Sequence, residues 1–352
     1  AAETDIAATV LSAIGAKTSG AVTATNAIDI AGTAAELTAA LVTADTLVVA
    51  STATATISDA AETDIAATVL SAIGAKTSGA VTATNAIDIS GTTAEVTAAL
   101  VTADTLVVAS TATVTITDNP SISELNAIAA KTSGVVTATL AADSLSNLGA
   151  LTTAGTDAIT ITVNDAAEAD VTAANLSTLG GKTAGTVTVS NAVDITGSAS
   201  DLTAALVTAD TLVVASTATA TISDAAETDI AATVLSAIGA KTSGTVTVTK
   251  AIDISGTAAE LTAALVTTDT LVVAGSATAT ISDAAETDIA ATVLSAIGAK
   301  TSGTVTVTKA IDISGTAAEL TAALVTTDTL VVAGSATATI SDAAETDIAA
   351  TV

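Results

Sequence analysis

The chain has 352 residues, half of them hydrophobic, and contains no Phe, Tyr, Trp, Met, Cys or His. Its 36 acidic residues outnumber its eight basic ones and give a net charge of −28, which argues against nucleic acid and anionic membrane surfaces as partners. Without His or Cys the commonest acid–base and nucleophilic groups are missing, so we expect no enzyme activity. No uncharged apolar run is long enough to cross a bilayer as a helix, so we expect no membrane insertion.

A tandem repeat of about 59 residues organises the sequence. The stretches 225–283 and 284–342 are identical, and the repeat divides into a shorter segment, such as 256–282, and a longer segment, such as 283–314. Repeats of this size stack as a solenoid, because each one buries its apolar face only against its neighbours. We therefore predict one continuous domain over 1–352, made of the units 1–59, 60–118, a shortened 119–165, 166–224, 225–283, 284–342 and the start of another at 343–352.

The shorter segment predicts a helix followed by two strands. Thr257 stands three positions before Glu260, which is the capping-box pattern of a helix start. Residues 270–274 form an apolar run and residues 277–282 alternate with period two, as strands do. Gly275 and Ser276 lie between them, where we expect a corner.

The longer segment predicts a longer helix and two further strands. Asp283 and Glu286 again fit a capping box, and Val305 and Val307 alternate with threonines as in a half-buried strand. The helix is expected to bury a stripe, carry a cation in its last turn, stop at a glycine and be followed after the strand by a corner. The residues concerned are Ile289, Val293, Ile297, Lys300, Gly303, Lys309 and Ala310.

Alternating helices and strands predict parallel strands joined by helical crossovers. The fold class is therefore α/β, a right-handed solenoid of about twelve stacked coils, since such crossovers are nearly always right-handed. Residues 119–165 depart from the pattern: Asn119 is expected to cap a helix with Pro120 in its first position, and the segment lacks a corner-strand piece. We expect a local irregularity there, with the stack continuing through it.

The repeats resemble those of very large bacterial cell-surface proteins, which are common in cyanobacteria. The resemblance rests on 121–140 (SISELNAIAAKTSGVVTATL), on 161–207 and on the tandem ISDAAE units, and it covers nearly the whole chain. It implies an extracellular or cell-surface location, a structural role and a chain that is part of something longer. It carries over no catalytic residue.

Stacked acidic residues make calcium the candidate ligand. Asp29, Asp88, Asp194, Asp253 and Asp312 form one predicted column; Asp59, Asp224, Asp283 and Asp342 form a second; and Asp45, Asp104, Asp210, Asp269 and Asp328 form a third. The first is the predicted calcium column, because calcium prefers carboxylate oxygens. Helix capping accounts for the second. In the first, neutral residues such as Thr280 are expected to alternate with the acids and dilute them.

Two further interpretations concern exposed side chains. Lys241 and Lys300 are expected to pair with an acid of the third column in the neighbouring coil, which contributes little to stability. Outward threonines at 304, 306 and 308 could form an ice-binding ladder, although Ala24, Ala83 and Asp253 interrupt it. Threonine is also simply the polar residue that suits a solvated strand.

These features favour a structural extracellular protein that builds a filament, sheath or surface layer from stacked coils. Its expected partners are copies of itself or further repeats of the same chain, stacked end to end and side by side. The alternative is a stalk, an adhesin or a ligand-binding repeat region. The sequence AAETDIAATV occurs at 1–10 and again at 343–352, so we expect the chain to be cut from a longer array.

Overall fold

The computed structural model describes residues 5–43, 48–102, 107–208, 213–267, 272–326 and 331–343. Short parallel strands alternate with helices in tandem repeats, so the predicted α/β solenoid-like architecture of parallel strands and helical crossovers is confirmed. By its contacts the chain forms two compact units. The first contains 1–142, 146–162 and 181–186, and the second contains 143–145, 163–180 and 187–352.

The first three repeats are built from short elements. The first has β1 (Asp5–Ala7), α1 (Ala8–Gly15), β2 (Val22–Thr23), β3 (Asp29–Gly32), α2 (Ala34–Leu37), β4 (Val48–Val49) and β5 (Thr54–Ile57). The second has β6 (Asp64–Ala66), α3 (Ala67–Gly74), β7 (Val81–Ala83), β8 (Asp88–Gly91), α4 (Thr93–Leu100), β9 (Val107–Val108) and β10 (Thr113–Ile116). The third has α5 (Ile122–Ala129), β11 (Val136–Thr139), α6 (Leu145–Leu148) and β12 (Ala158–Val163).

The remaining repeats return to the regular order. The fourth has β13 (Asp170–Thr172), α7 (Ala173–Gly180), β14 (Val187–Val189), β15 (Asp194–Gly197), α8 (Ala199–Leu202), β16 (Val213–Val214) and β17 (Thr219–Ile222). The fifth has β18 (Asp229–Ala231), α9 (Ala232–Gly239), β19 (Val246–Val248), β20 (Asp253–Gly256), α10 (Ala258–Leu261), β21 (Val272–Val273) and β22 (Thr278–Ile281). The sixth has β23 (Asp288–Ala290), α11 (Ala291–Gly298), β24 (Val305–Val307), β25 (Asp312–Gly315), α12 (Ala317–Leu324), β26 (Val331–Val332) and β27 (Thr337–Ile340). The helices α2, α8 and α10 continue as π-helical segments at Thr38–Val42, Thr203–Val207 and Thr262–Val266.

Each sheet is a parallel ribbon in which successive strands come from successive coils. The first unit contains β1-β3-β5-β7-β9, the pair β2-β4 and the run β6-β8-β10-β11-β12. The second contains β13-β15-β17-β19-β21, β18-β20-β22-β24-β26, β23-β25-β27 and the pair β14-β16. A new ribbon therefore begins with the Asp-led strand that opens a regular repeat, and the chain alternates between neighbouring ribbons as it winds.

The core consists of small aliphatic side chains on alternate strand positions. Val305 and Val307 are buried while Thr306 between them is half-buried, as the period-two pattern predicts. The apolar run before the corner also alternates, since Val272 and Ala274 are buried but Val273 is 53% exposed. Because these side chains are short, the coils approach closely and the core stays thin.

The longer helix does not start at the predicted capping box. Residues 284–287 form a turn closed by the Thr287 N–H donating to the Ala284 carbonyl at 3.2 Å, and α11 begins only at Ala291. Glu286 has a φ of 64°, in the left-handed region, so a helix cannot run through it. Ile289 is buried in β23 rather than on a helical stripe, and Val293 is only half-buried. Leu294 and Ile297 of α11 face the core instead.

The left-handed turn recurs and is held by the following coil. Glu62, Glu168, Glu227 and Glu286 all have φ values of 63–65°. Such a backbone costs about 1–2 kcal/mol for a residue other than glycine. The Glu286 N–H donates to the Ala310 carbonyl of the next coil at 2.8 Å, so the neighbouring coil offsets part of this cost.

Two other predicted features of this helix were wrong. Lys300 lies beyond the end of α11 rather than in its last turn. Gly303 is not a helix stop; an added Cβ there would overlap the carbonyl oxygen of Ala277 in the preceding coil. Glycine is therefore required by close approach of two coils. Gly275, at the confirmed corner, has no such neighbour, and its equivalent in the first repeat is Ser51.

The shortened repeat also starts its helix later than predicted. Ser121, not Asn119, caps α5, and its hydroxyl and Glu124 form the capping box. Pro120 precedes the cap because its fixed φ suits the extended entry as well as a first helical position. As expected, β11 is not followed by a counterpart of the Asp-led corner strand within the described residues.

Candidate functional site

The predicted calcium column lies at the starts of five strands. Asp253 opens β20, and its carboxylate accepts hydrogen bonds from the Thr278 hydroxyl at 2.8 Å and the Thr280 hydroxyl at 3.1 Å. Both threonines belong to the next strand of the ribbon. Equivalent bonds join Asp29 to Thr54 and Thr56, Asp88 to Thr113, Asp194 to Thr219 and Thr221, and Asp312 to Thr337. Hydroxyl donors thus engage each of these carboxylates without any ion.

On its other side each of these carboxylates meets a second one. Asp229 of β18 is in register with Asp253 of β20, so both side chains point to the same face of a parallel pair. The same register joins Asp5 to Asp29, Asp64 to Asp88, Asp170 to Asp194 and Asp288 to Asp312. Strands lie about 4.8 Å apart. The prediction that neutral residues dilute the column on both sides was therefore wrong, because residues 288–290 form a strand and not part of a helix.

The paired carboxylates have the donor chemistry of a calcium site but a small set of ligands. Calcium takes six to eight oxygen ligands. Each pair supplies two carboxylates with one or two threonine hydroxyls beside them. Within the described residues no three carboxylates converge closely enough to hold one ion. Calcium at Asp29, Asp88, Asp194, Asp253 and Asp312 stays a prediction.

The second acidic column caps helices, but in the neighbouring coil. The Asp283 carboxylate accepts the backbone N–H of Ala258, the first residue of α10, at 2.7 Å. That helix start lies 25 residues earlier in the chain. The equivalent bonds run from Ala34 to Asp59, from Thr93 to Asp118, from Ala199 to Asp224 and from Ala317 to Asp342. Asp165, which the sequence did not single out for this role, accepts the Leu145 N–H in the same way.

The helix start also carries the capping box that the sequence predicted. The Thr257 N–H donates to Glu260 Oε2 at 2.8 Å, and the Glu260 N–H donates to Thr257 Oγ1 at 3.2 Å. With Asp283 added, three donors at the start of α10 have acceptors, two from its own coil and one from the next. Helix starts leave such donors unsatisfied unless a side chain or water meets them.

Two carboxyl groups near the shortened repeat are held in their ionised form. The Thr93 hydroxyl, 2.6 Å from Asp118, and then the Thr93 N–H at 2.7 Å hold the pKa of Asp118 below its usual 3.8. The hydroxyl and N–H of Ser121 lower the pKa of Glu124 in the same way. Hydrogen bonds donated to a carboxylate favour its charged form.

The proposed threonine ladder is continuous over only part of a ribbon. Along one row the residues in register are Ser255, Thr280, Thr306 and Val332. Val332 is 53% exposed, so the row of hydroxyls ends in an apolar side chain at the last strand. Ice binding stays a prediction that this register does not favour.

The predicted lysine–aspartate pairs and the third column lie partly outside the described residues. Asp45, Asp104, Asp210, Asp269 and Asp328 belong there, so the partners of Lys241 and Lys300 are not described. Two other lysines have partners at the corners. Lys250 and Lys309 donate from Nζ to the carbonyls of Ser223 and Ser282 in the preceding coil, at 3.4 and 3.1 Å.

A groove of about 520 Å³ follows one capped helix start in the second unit. Ala199, Thr203 and Asp224 line one side, and Asp229 and Val234 line the other. Its lining is small and hydroxyl-bearing, and Asp224 is already engaged as the cap of α8. The groove has the size of a small-ligand pocket, but it brings together no candidate catalytic pair.

No family model, curated protein or solved structure matches this chain. None of the described helices combines the length and the apolar character that crossing a membrane requires. The residues themselves therefore carry the functional argument.

The cap between coils predicts an asymmetry between two substitutions of Asp283. Asp283→Ala removes the acceptor of the Ala258 N–H and should lower the free energy of unfolding by about 0.5–2 kcal/mol. Asp283→Asn keeps an acceptor oxygen and should cost less. Urea unfolding followed by circular dichroism measures both, and equal losses for the two variants would contradict the capping role.

The carboxylate pair predicts that Asp229→Asn is stabilising in chelator at low salt. Removing one of two like charges directly opposite each other should raise the free energy of unfolding by about 0.2–1 kcal/mol, and added salt should shrink the gain. Glu227→Gln is the matched control, since it makes the same charge change at an exposed site outside the strand.

Calcium gives the same variant a second use. If the pair binds calcium, the ion should raise the melting temperature of the wild-type chain and leave that of Asp229→Asn unchanged. Melting curves that calcium shifts in neither protein would remove the predicted calcium column.

The lowered pKa values predict a loss of stability in acid. Because the unfolded chain takes up protons more readily near pH 4, the stabilisation from Asp118 and Glu124 is complete above that range. It is lost as the pH falls through their lowered values. Thr93→Ala, which introduces the residue found at Ala34 and Ala258, removes the larger cause at Asp118. It should move the acid loss to higher pH in melting curves between pH 2 and 6; an unchanged acid limb would contradict this assignment.

Proposed function

We propose that the chain is a structural, extracellular or cell-surface repeat protein that builds a filament, sheath or surface layer from stacked coils. The observation that carries the proposal is that a coil is completed by its neighbour. Asp283 caps a helix of the preceding coil, Ala310 accepts the N–H of the strained turn at Glu286, and Gly303 admits the Ala277 carbonyl. Such units gain their stability by accumulation and not singly.

The identical repeats support the same role. Residues 225–283 and 284–342 present the same upper and lower surfaces, so further units can be added without any new contact. The residue types that remain outside the caps and strands form no catalytic constellation in the described part of the chain. The surface location rests on the resemblance of the repeats to those of giant bacterial surface proteins.

A ligand-binding stalk is the second candidate, and the groove beside Asp224 favours it. In that role the array would space a binding site from the cell, and the grooves along it would take small polar molecules. A tip domain without repeats elsewhere in the full-length protein would favour this candidate over a filament.

Electron microscopy of the native material together with the purified chain tests the structural role. We expect repeating density along one axis, and purified material that lengthens with protein concentration and with salt, since screening relieves the repulsion of a chain of net charge −28. Discrete particles of constant size, both in native material and in the purified chain, would overturn the proposal.

A further inference from the structure

The end of the described array near residue 340 exposes side chains that interior copies bury. Ile340 of β27 is 55% exposed, whereas Ile281 at the same position of the preceding repeat is fully buried. In the interior, β22 pairs with β20 on one edge and with β24 on the other. Among the described residues β27 pairs with β25 alone, so its second edge is open.

The opposite end is open in the complementary way. Ile14 of α1 is 48% exposed, whereas Ile73 at the same position of α3 is fully buried. Among the described residues β2 pairs with β4 alone, whereas its counterpart β7 lies between β5 and β9. The missing neighbour of β2 is thus a strand of the Thr-Ala-Thr-Ile type, which is the sequence of β27.

Gly20 adds an independent sign of a missing neighbour. Its counterpart Gly79 must be glycine, because an added Cβ would overlap the Ala53 carbonyl of the preceding coil. Around Gly20 an added Cβ would have Thr18 Oγ1 at 3.6 Å as its nearest neighbour. The chain therefore keeps a glycine where its own fold leaves room for a side chain.

We infer that these two ends bind each other between two copies of the chain, which rests on the structural role proposed above. The interior pairing of β5 with β7 supplies the register. In the interface β27 of one copy lies parallel to β2 of the next, and Gly20 approaches the carbonyl of Ala336. The pairs in register are Ala338 with Val22, Thr339 with Thr23 and Ile340 with Ala24.

Interior side-chain bonds extend the interface beyond the strand edge. The Asn85 amide donates to the Asp59 carbonyl at 2.6 Å, and the Thr84 hydroxyl donates to the Ile57 carbonyl at 3.2 Å. The equivalent donors of an incoming copy are Asn26 and Thr25, and the acceptors are the carbonyls of Asp342 and Ile340. A contact between two different surfaces of this kind propagates from copy to copy.

Residues 343–352 repeat the sequence of 1–10, so the two segments compete for one place in the joint. An incoming copy brings its own β1 and α1, which the segment 343–352 would otherwise supply. A chain that ends at Asp342 should therefore associate more readily than the chain that continues to Val352.

Gly20→Ala is the decisive substitution, because the described fold has room for the methyl group and the proposed interface does not. Sedimentation velocity should show association of the wild-type chain weakened at least tenfold by Gly20→Ala. The matched control is Gly275→Ala, which also has an open Cβ position and should leave association unchanged. Melting curves check that both variants are folded.

Disulfide cross-linking tests the register, since the chain has no cysteine of its own. A mixture of Thr23→Cys and Thr339→Cys chains should form a disulfide dimer faster than a mixture of Thr25→Cys and Thr339→Cys, because only the first pair lies in register. Assemblies that grow while both mixtures cross-link equally, or while Gly20→Ala associates normally, would overturn this interface and leave the proposed structural role standing. Failure of the wild-type chain to associate, together with featureless native material, would overturn both.

Discussion

The fold depends on a carboxylate that one coil lends to the helix of another. A helix start leaves several N–H groups without partners, and the threonine–glutamate box of α10 satisfies only those within reach of its own coil. The N–H of Ala258 remains, and Asp283 reaches it after a full turn of the winding. The bond fixes both the height and the rotation of one coil against the next. Its recurrence at Asp59, Asp118, Asp224 and Asp342 sets the register of the repeats.

The use of Asp283 in this role explains why the two segments of a repeat differ. From α9 to α12 the helices begin at Ala232, Ala258, Ala291 and Ala317, so the step that contains Asp283 is longer than the steps on either side of it. After Asp283 the chain must leave the cap before it can form a helix of its own. It does so through the left-handed turn at Glu286 and the strand β23, which also starts a new ribbon. The extra length of the longer segment is thus the exit from the cap.

Much of the architecture could be predicted from the sequence, because repetition and period-two alternation are local signals. The tandem units, the parallel strands, the corner at Gly275 and the box at Thr257 needed no knowledge of which coil meets which. The position of α11 could not be predicted in that way. Asp283 and Glu286 have the spacing of a capping box, but the acceptor was used by a helix 25 residues upstream. That partner is distant in sequence, and no local pattern distinguishes a cap for the following helix from a cap for the preceding coil.

The candidate site shows the same limit for charges. The acids Asp253 and Asp312 could be placed in one column from their spacing, but their nearest charged neighbours, Asp229 and Asp288, lie in strands that the sequence reads as helix. Glycine gives the converse case. Gly303 has the position of a helix stop, although its role is close contact with the preceding coil, and only the facing carbonyl reveals it.

Stacking and charge oppose each other in this design, and their balance limits how an array can grow. The unit 284–342 has six acidic residues and two lysines, so each added copy contributes a net charge of −4. Several of these acids are structural: Asp342 caps a helix and Glu319 completes a capping box. They cannot be removed without losing the register, so the repulsion grows with the same residues that hold the coils together. At low ionic strength this repulsion acts over tens of ångströms, and at physiological salt it is screened within about 8 Å, which reaches only the nearest coils. An array of these repeats is therefore expected to be most stable in a medium of high ionic strength, where the caps keep their geometry and the charges lose their reach.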